Sequence, residues 1–171
     1  MYRVSFTGYR PQKLPFFSEE DPMCVDLKNR IYRQVEKLYE HGADDFYTGM
    51  ALGVDMWCAE AVLRLREIHP EVRLNAVIPC RGQESRWSAR EQQRYQKILA
   101  ALRKYLLIAQ CSKVMCLSDS YTKECMMKRN RALVELCDLL VAVFDGKPGG
   151  TKFTVDYAAK LGRKTIVIPP M

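Results

Sequence analysis

Three short segments of the chain are rich in glycine and other small residues, which suits the binding of a phosphate or a carboxylate. They span residues 7–10, 48–55 and 145–151 and read TGYR, TGMALGVD and DGKPGGT. Glycine lets a backbone N–H approach a ligand without a Cβ in the way. The second and third segments lead into predicted helices, whose N-termini offer free N–H groups and the positive end of a dipole. Together the segments predict an anion-binding site.

Charged and hydroxyl side chains in and near these segments complete the candidate site. Asp55 lies in the first turn of its predicted helix, where it either stabilises the helix dipole or accepts hydrogen bonds from a ribose. Arg10 and Arg129 suit a phosphate, because a guanidinium matches phosphate oxygens bidentately. Thr151 either caps its helix or donates its hydroxyl to a phosphate. The candidate ligand-binding residues are Thr7, Gly8, Arg10, Gly49, Ala51, Gly53, Asp55, Arg129, Asn130, Asp145, Gly149, Gly150 and Thr151.

The same segments also have a purely structural interpretation, since any turn from strand to helix favours glycine and a capping residue. They match neither the dinucleotide fingerprint G-x-G-x-x-G nor the P-loop G-x-x-x-x-G-K-[ST], so neither an ordinary NAD dehydrogenase nor a P-loop NTPase is predicted. The carboxylates that could do acid/base work, because they lie in or beside the predicted loops at the sheet edge, are Asp55, Asp145 and Glu84. A hydrolase that cleaves an N-glycosidic or phosphoester bond in a nucleotide or NAD derivative therefore stays open as an alternative.

A basic series between residues 81 and 97 raises nucleic-acid binding as a further alternative. Arg90, Arg94 and Lys97 follow i, i+4, i+7 spacing and share one face of a predicted helix. That stripe could track a phosphate backbone, or it could be a solvated helix face. Trp87 beside it could stack on a base or anchor the core. The formal net charge of +7 favours anionic ligands without choosing among them.

Strands alternate with helices along the chain. Apolar and β-branched runs predict strands at residues 2–7, 45–48, 72–78, 113–117, 139–144 and 165–169. The first helix is predicted from Val25, Leu27, Ile31, Val35 and Leu38 and ends at Gly42; the others are predicted at residues 54–68, 88–107, 122–137 and 151–161. This order predicts an α/β, Rossmann-like three-layer sandwich, with a mostly parallel sheet of about six strands and helices on both faces. Ligands bind such sheets at the carboxyl ends of the strands, where the three segments lie.

Length and composition indicate one globular domain, residues 1–171, with 48% hydrophobic residues. No apolar run approaches the ~20 residues of a membrane span, and the N-terminus has no apolar stretch typical of a signal peptide. The seven cysteines are odd in number and lack C-x-x-C spacing. They predict free, mostly buried thiols in a reducing cytoplasm and no metal site. The lack of a long apolar run predicts no membrane partner.

At the candidate segments the sequence resembles a known family. Residues 5–11 (SFTGYRP) and 49–55 (GMALGVD) look like the YpsA family of the SLOG superfamily, which also contains DprA and the LOG-type cytokinin-activating hydrolases. The later runs 128–131 (KRNR), 137–143 (CDLLVAV) and 149–151 (GGT) are similar to DprA-like Rossmann domains.

This resemblance covers residues 4–169 and implies a Rossmann-like fold that binds a nucleotide or an ADP-ribose-like molecule as a sensor-like domain. The implied contacts are Gly8, Arg10, Gly49, Gly53, Asp55, Gly149, Gly150 and Thr151. The DprA relatives imply single-stranded DNA as an alternative ligand and self-association as a homodimer. LOG-type hydrolases carry P-G-G-x-G-T-x-x-E, whereas residues 148–154 read PGGTKFT. The missing x-G and Glu speak against phosphoribohydrolase chemistry.

Overall fold

The computed structural model describes residues 2–109 and 113–171, and these form one sheet flanked by helices. The strands are β1 (Tyr2–Gly8), β2 (Ala43–Thr48), β3 (Arg73–Ile78), β4 (Val114–Cys116), β5 (Leu139–Val143) and β6 (Lys164–Ile168). The helices are α1 (Pro22–Glu40), α2 (Val54–Ile68), α3 (Ala89–Ala109), α4 (Cys125–Leu136) and α5 (Gly150–Lys160), with a 3₁₀ turn at Pro11–Lys13. The predicted elements are all present, with bounds that differ by a few residues.

The sheet has the strand order β4-β3-β2-β1-β5-β6. Every strand pair is parallel, so the sheet predicted as mostly parallel is parallel throughout the described chain. Helices α1, α2 and α3 pack along one face, and α4 and α5 pack together on the other. The predicted three-layer α/β sandwich is therefore confirmed. The order reverses between β1 and β5, and a ligand cleft is expected at this switch point.

The sequence of β1 explains how the central strand is buried on both faces. Val4 and Phe6 point into the α1–α2 layer, where the Phe6 ring stacks on Phe46 with centroids 5.9 Å apart. Ser5 lies on the opposite face, and its hydroxyl donates to the Leu133 carbonyl of α4 at 2.6 Å. Its small polar side chain thus lets α4 approach β1 closely, which brings the residues of α4 to the switch point.

The buried face of α1 follows the predicted spacing except at Val25. Val25 is 47% exposed, whereas Cys24 is fully buried together with Leu27, Ile31 and Val35. Both residues are apolar neighbours, so spacing alone does not decide which one faces the core. The helix begins before Val25, at Pro22, because the Asp21 side chain accepts a hydrogen bond from the Met23 N–H and caps it.

Six of the cysteines fall within the described residues, and all six are free thiols. Five of them are buried and Cys116 is exposed. Cys111 lies outside the described residues. Across residues 2–109 and 113–171, no helix combines the length and the apolarity needed to span a lipid bilayer.

The long loop after β1 is anchored by an ion network. Leu14 and Phe16 are buried, and further along the loop Glu19 forms ion pairs with Arg94, at 2.5 Å, and with Lys28. These contacts fix the path of the loop across the α2–α3 layer, so the segment just after β1 is held near the switch point.

Replacing Glu19 by glutamine is expected to reduce the amount of unfolding free energy that the protein loses on acidification. Burial alone would raise the pKa of Glu19, but hydrogen bonds and charge from Arg94 and Lys28 outweigh it and lower that pKa to about 2. A carboxylate with a lowered folded pKa stabilises the fold above its ordinary value of 4.5, and this contribution is lost as the pH falls from 4.5 toward 2. Urea unfolding between about pH 5 and about pH 2 should therefore show a smaller loss for Glu19→Gln than for the wild type.

The matched control for this experiment is Glu20→Gln, because Glu20 is the exposed neighbour of Glu19. It should retain the wild-type dependence on pH. A Glu19→Gln variant whose stability falls with the wild-type slope would show that the network does not hold the carboxylate ionised.

Candidate functional site

A cavity of about 350 Å³ lies at the switch point, beyond the carboxyl ends of the central strands. Its walls come from the end of β1, the β2–α2 loop, α4 and the start of α5. Small-molecule sites typically occupy about 300–1,000 Å³. Nine of the candidate residues predicted from the sequence line this cavity: Thr7, Gly8, Arg10, Ala51, Asp55, Arg129, Asn130, Gly150 and Thr151.

The side chain of Arg129 is a buried polar group in the wall of the cavity. Its Nη1 donates to the Gly49 carbonyl at 2.7 Å and lies 3.9 Å from Oδ2 of Asp55. Its Nε donates to Oδ1 of Asn130 at 3.0 Å. The same Asp55 oxygen accepts the Ala51 N–H at 3.2 Å. These contacts tie the β2–α2 loop to α4 across the end of β1.

Asp55 and Arg129 form a buried ion pair. Their side chains are only 7% and 6% exposed. Burial raises the pKa of Asp55 and lowers the pKa of Arg129, because each charged form loses hydration, and the charge of each partner opposes the shift of the other. The positive charge of Arg129 is thus already balanced by Asp55, so an anionic ligand needs further cations.

Two further cations lie at the mouth of the cavity. Arg10 is exposed, and its Nη2 lies 3.8 Å from the sulfur of Met126. Lys13 donates from Nζ to the Pro148 carbonyl at 3.0 Å and sits 5.5 Å from the centroid of the Tyr9 ring. In the described part of the chain, neither cation has a carboxylate within salt-bridge distance. Both are therefore available to an anion in the cavity.

The N-terminus of α5 supplies the third feature that suits an anion. The helix begins at Gly150, and its N-cap, Gly149, has φ +148° and no side chain to cap the first N–H groups. That backbone conformation is one that other residues rarely adopt. Gly150 and Thr151 line the cavity, so the positive end of the helix dipole faces it.

Four predicted residues lie beside the cavity and support its walls. Gly49 lies beneath Arg129, where a Cβ would meet Nη1 at 2.5 Å. Gly53 has φ +85° and precedes the first residue of α2, and Gly149 forms the N-cap described above. Asp145 is exposed and accepts the Tyr9 hydroxyl, which together with Lys147 lowers the pKa of Asp145 to about 2.

The three carboxylates proposed for acid/base work do not meet. Asp55 lines the cavity and is paired with Arg129. Asp145 is held by Tyr9 outside the lining. Glu84 lies in a separate cavity and accepts a hydrogen bond from Gln96 at 3.1 Å. No second carboxylate among the described lining residues accompanies Asp55, so a paired-carboxylate mechanism lacks a partner in this cleft.

Several lining residues were not predicted from the sequence: Tyr9, Gln12, Lys13, Met126, Met127 and Leu133. Gln12 and Lys13 belong to the 3₁₀ turn Pro11–Lys13, which places both side chains in the cavity wall. The proline at its first position is the only local signal for that turn. The two methionines add a polarisable apolar wall, which suits a planar ring.

The basic stripe on α3 is interrupted by acidic partners. The Arg94 guanidinium binds Glu60, at 2.5 Å from Nε to Oε1, and also Glu19, so Arg94 is not free for phosphate. Only Arg90 and Lys97 of the stripe remain exposed. Trp87 packs edge-on against Tyr95, with centroids 5.3 Å apart, which matches the interpretation as a core anchor.

Comparisons of structure show the same fold in two larger proteins. DNA processing protein A (DprA) from Helicobacter pylori, whose structure was described for a unique single-stranded DNA binding mode, superposes with a TM-score of 0.64 at 18% identity. DprA from Streptococcus pneumoniae superposes with a TM-score of 0.61, also at 18% identity. Each match covers 98% of this chain, which spans 65% of the first protein and 50% of the second.

Comparisons of sequence identify the family. A UPF0398 protein of Halalkalibacterium halodurans is 29% identical over 164 residues, covering 92% of this chain and 80% of that protein. A UPF0398 protein of Bacillus cereus is 30% identical over 166 residues, covering 93% and 83%. The YpsA family model, described as the YspA SLOG family, matches residues 4–167. The chain therefore belongs to the YpsA family of SLOG proteins.

Proposed function

We propose that this protein binds a phosphorylated, nucleotide-derived small molecule in the cavity at the switch point of its sheet. One observation carries the proposal: two unpaired cations and an uncapped helix N-terminus converge on the same cavity. Arg10, Lys13 and the first residues of α5 all line it, and Lys13 Nζ donates to the carbonyl of Pro148, just before that helix. A phosphate bound there gains charge-assisted hydrogen bonds from the cations and the favourable end of the helix dipole.

The remaining walls suit the rest of a nucleotide. Met126, Met127 and Leu133 form an apolar side on which a base can pack. Asp55 lies deeper and offers carboxylate oxygens to the hydroxyls of a ribose. Because Asp55 is the only carboxylate among the described lining residues, binding without turnover is the function that the cavity supports best.

Replacing Arg10 by alanine is expected to weaken nucleotide binding at least tenfold. A hydrogen bond to a charged group contributes about 1.5–3 kcal/mol, and about 1.4 kcal/mol corresponds to a factor of ten. Isothermal titration with AMP, ADP, ADP-ribose and NAD measures the dissociation constants of the wild type and the variant. Arg33→Ala, which removes an exposed cation from α1, serves as the matched control and should bind like the wild type.

Failure of every nucleotide in that panel to bind would overturn the proposal, and equal affinities of Arg10→Ala and the wild type would remove Arg10 from the site. Chromatography of the same mixtures detects any released base. Base release that depends on Asp55 would instead establish the hydrolase alternative.

Single-stranded nucleic acid is the second candidate ligand. The structural likeness to the Helicobacter pylori protein favours it, and Arg10 and Lys13 present positive charge at the rim of the same cavity. A fluorescent oligo-dT titrated with the protein at low salt completes the same experiment. DNA binding at this cleft would weaken steeply with salt, because phosphate contacts release counterions, and would weaken again in Arg10→Ala.

A further inference from the structure

The thioether sulfur of Met126 lies within hydrogen-bond distance of two guanidinium groups. Met126 is the second residue of α4 and lines the switch-point cavity. Nη2 of Arg10 lies 3.8 Å from its sulfur, and Nη2 of Arg129 lies 4.0 Å from it. A thioether is only a weak acceptor, so it holds two charged donors loosely.

The two arginines differ in how firmly they are held. Arg129 is fixed by the Gly49 carbonyl, by Asn130 and by its ion pair with Asp55. The guanidinium of Arg10 has no hydrogen bond or ion pair with the described residues other than its contact with the Met126 sulfur. Whatever changes that sulfur therefore changes how freely Arg10 can turn to an anion in the cavity.

The side chain of Met126 is open to small molecules that enter the cavity. It is half-buried and forms part of the cavity wall, whereas Met50 and Met56 lie in the core at 0% and 1% exposure. The cavity of about 350 Å³ is far larger than the ~30 Å³ that one water molecule occupies, and hydrogen peroxide is little larger than water.

We propose that Met126 is an oxidation site that regulates anion binding, at which a hydroperoxide converts the thioether to a sulfoxide whose oxygen engages Arg10 and Arg129. This inference rests on the proposed function, because it concerns the regulation of that same cavity. The chemistry that recognises the site is that of a small neutral hydroperoxide, which enters where the anion would bind.

The oxidation is a transfer of one oxygen atom. A lone pair of the Met126 sulfur attacks one peroxide oxygen, an S–O bond forms and the O–O bond breaks. The proton on the transferred oxygen passes to the departing oxygen, which leaves as water or as an alcohol. The sulfur gives up two electrons, the peroxide takes them, and the product is a methionine sulfoxide, which a reductase can return to the thioether.

The sulfoxide would hold Arg10 more firmly than the thioether does. Its oxygen carries partial negative charge and is bonded to the sulfur that both guanidiniums already contact, so it can accept charge-assisted hydrogen bonds from them. The same oxygen makes part of the apolar wall polar. Both changes oppose the binding of a nucleotide, because one cation is engaged and the surface for the base is altered.

Affinity before and after treatment with hydrogen peroxide tests the regulation. The probes are AMP, ADP, ADP-ribose and NAD, and peptide mass spectrometry measures the sulfoxide at each methionine. Each protein is compared with its own untreated form, so the effect of a substitution on binding cancels. The wild type should lose at least tenfold in affinity as sulfoxide accumulates at Met126, the same loss that is expected for Arg10→Ala.

Three leucine variants assign that loss to one sulfur. Met126→Leu has no thioether at this position and should keep its untreated affinity. Met127→Leu changes the neighbouring methionine of the same wall and should still lose at least tenfold. Met23→Leu changes an exposed methionine of α1 and should respond like the wild type. Oxidation of cysteines occurs in all four proteins, so it does not distinguish Met126→Leu from the others.

Thermal unfolding tests the contact between the sulfoxide and Arg10 without any ligand. In the wild type, a hydrogen bond from Arg10 offsets part of the cost of a polar oxygen in the wall. Arg10→Ala lacks that donor, so peroxide should lower its Tm by about 3 °C or more beyond the decrease in the wild type. In the Met126→Leu background, Arg10→Ala should make no difference to the effect of peroxide.

An unoxidised Met126 in protein whose exposed Met23 is fully oxidised would overturn the proposal, and so would a Met126 sulfoxide that leaves the affinity unchanged. Equal decreases of Tm in the wild type and in Arg10→Ala would show that Arg10 does not hold the sulfoxide. If untreated wild type binds none of the four nucleotides, the proposed function fails by itself, and the peptide map and the Tm values still decide whether a Met126 sulfoxide engages Arg10. Circular dichroism establishes that each variant is folded before oxidation.

Discussion

Arg129→Met is expected to lower the free energy of unfolding by about 3 kcal/mol, since removing one partner of a buried ion pair leaves the other uncompensated. The variant removes the cation beside Asp55 and the donor that satisfies the Gly49 carbonyl. Methionine keeps most of the side-chain volume, so the loss reports the charge and the hydrogen bonds. Urea unfolding followed by circular dichroism measures the change.

The dependence of this loss on pH identifies its cause. Burial raises the pKa of Asp55, and the charge of Arg129 opposes that rise. Without Arg129 the pKa of Asp55 rises further, so the ionised carboxylate destabilises the fold above that pKa and the penalty disappears as the pH falls below it. The difference in unfolding free energy between wild type and Arg129→Met should therefore shrink in acid.

Two further variants separate the ion pair from general damage to α4. Lys128→Ala changes the exposed neighbour of Arg129 and should stay within about 0.5 kcal/mol of the wild type. The double variant Asp55→Asn/Arg129→Met should lose less unfolding free energy than the two single variants together, because Asp55→Asn removes the carboxylate charge that Arg129→Met leaves unpaired. Strict additivity would show that the two side chains do not interact.

Gly8→Ala is expected to destabilise the protein by about 2 kcal/mol, the usual order for overpacking a close contact. An added Cβ would overlap the side chain of Val54, the first residue of α2. Neither the Gly8 backbone nor the Val54 side chain can move away easily to relieve this overlap. Gly8 is paired with Val143 in the sheet, and Val54 is fully buried with its N–H directed at the Tyr9 carbonyl at 3.4 Å.

Gly150→Ala provides the comparison for Gly8→Ala in the same cleft. An added Cβ there meets nothing closer than Nδ2 of Asn130 at 3.7 Å, which is ordinary contact. Because Gly150 is the first residue of α5, alanine should leave thermal stability unchanged or raise it slightly. Equal losses for the two variants in thermal unfolding would contradict the close approach of β1 to α2.

The strands and helices could be predicted from the sequence because their signals are local. The run at Leu139–Val143 is buried in all five residues, as expected for a strand covered on both faces. Side chains of the neighbouring strand β1 point alternately into the two helix layers. Leu27, Ile31 and Val35 recur at helical spacing and are buried, so they indicate the buried face of α1. Val25, which was counted in the spacing of that helix, is exposed, and its apolar neighbour Cys24 is buried instead.

The location of the candidate site could also be predicted, because parallel strands place their carboxyl ends on one edge. The sequence did not allow us to predict which cations face that edge. The spacing places Arg94 in a basic stripe on one helix face, but Glu19 and Glu60, distant in sequence, form ion pairs with it. Nothing in the sequence pointed to Lys13 as a site residue, yet the 3₁₀ turn places it at the mouth of the cavity.

The alternation of strands and helices, with glycine-rich turns at their junctions, could be predicted from the chain alone, because hydrophobic periodicity and backbone freedom act between near neighbours. The contacts that those turns make became visible only in the folded molecule. Gly8 and Gly49 admit Val54 and Arg129 at close range, and Gly150 opens onto the cavity. Such roles depend on which distant side chain packs against a residue and on which charged groups form ion pairs. The local sequence does not encode either of these contacts.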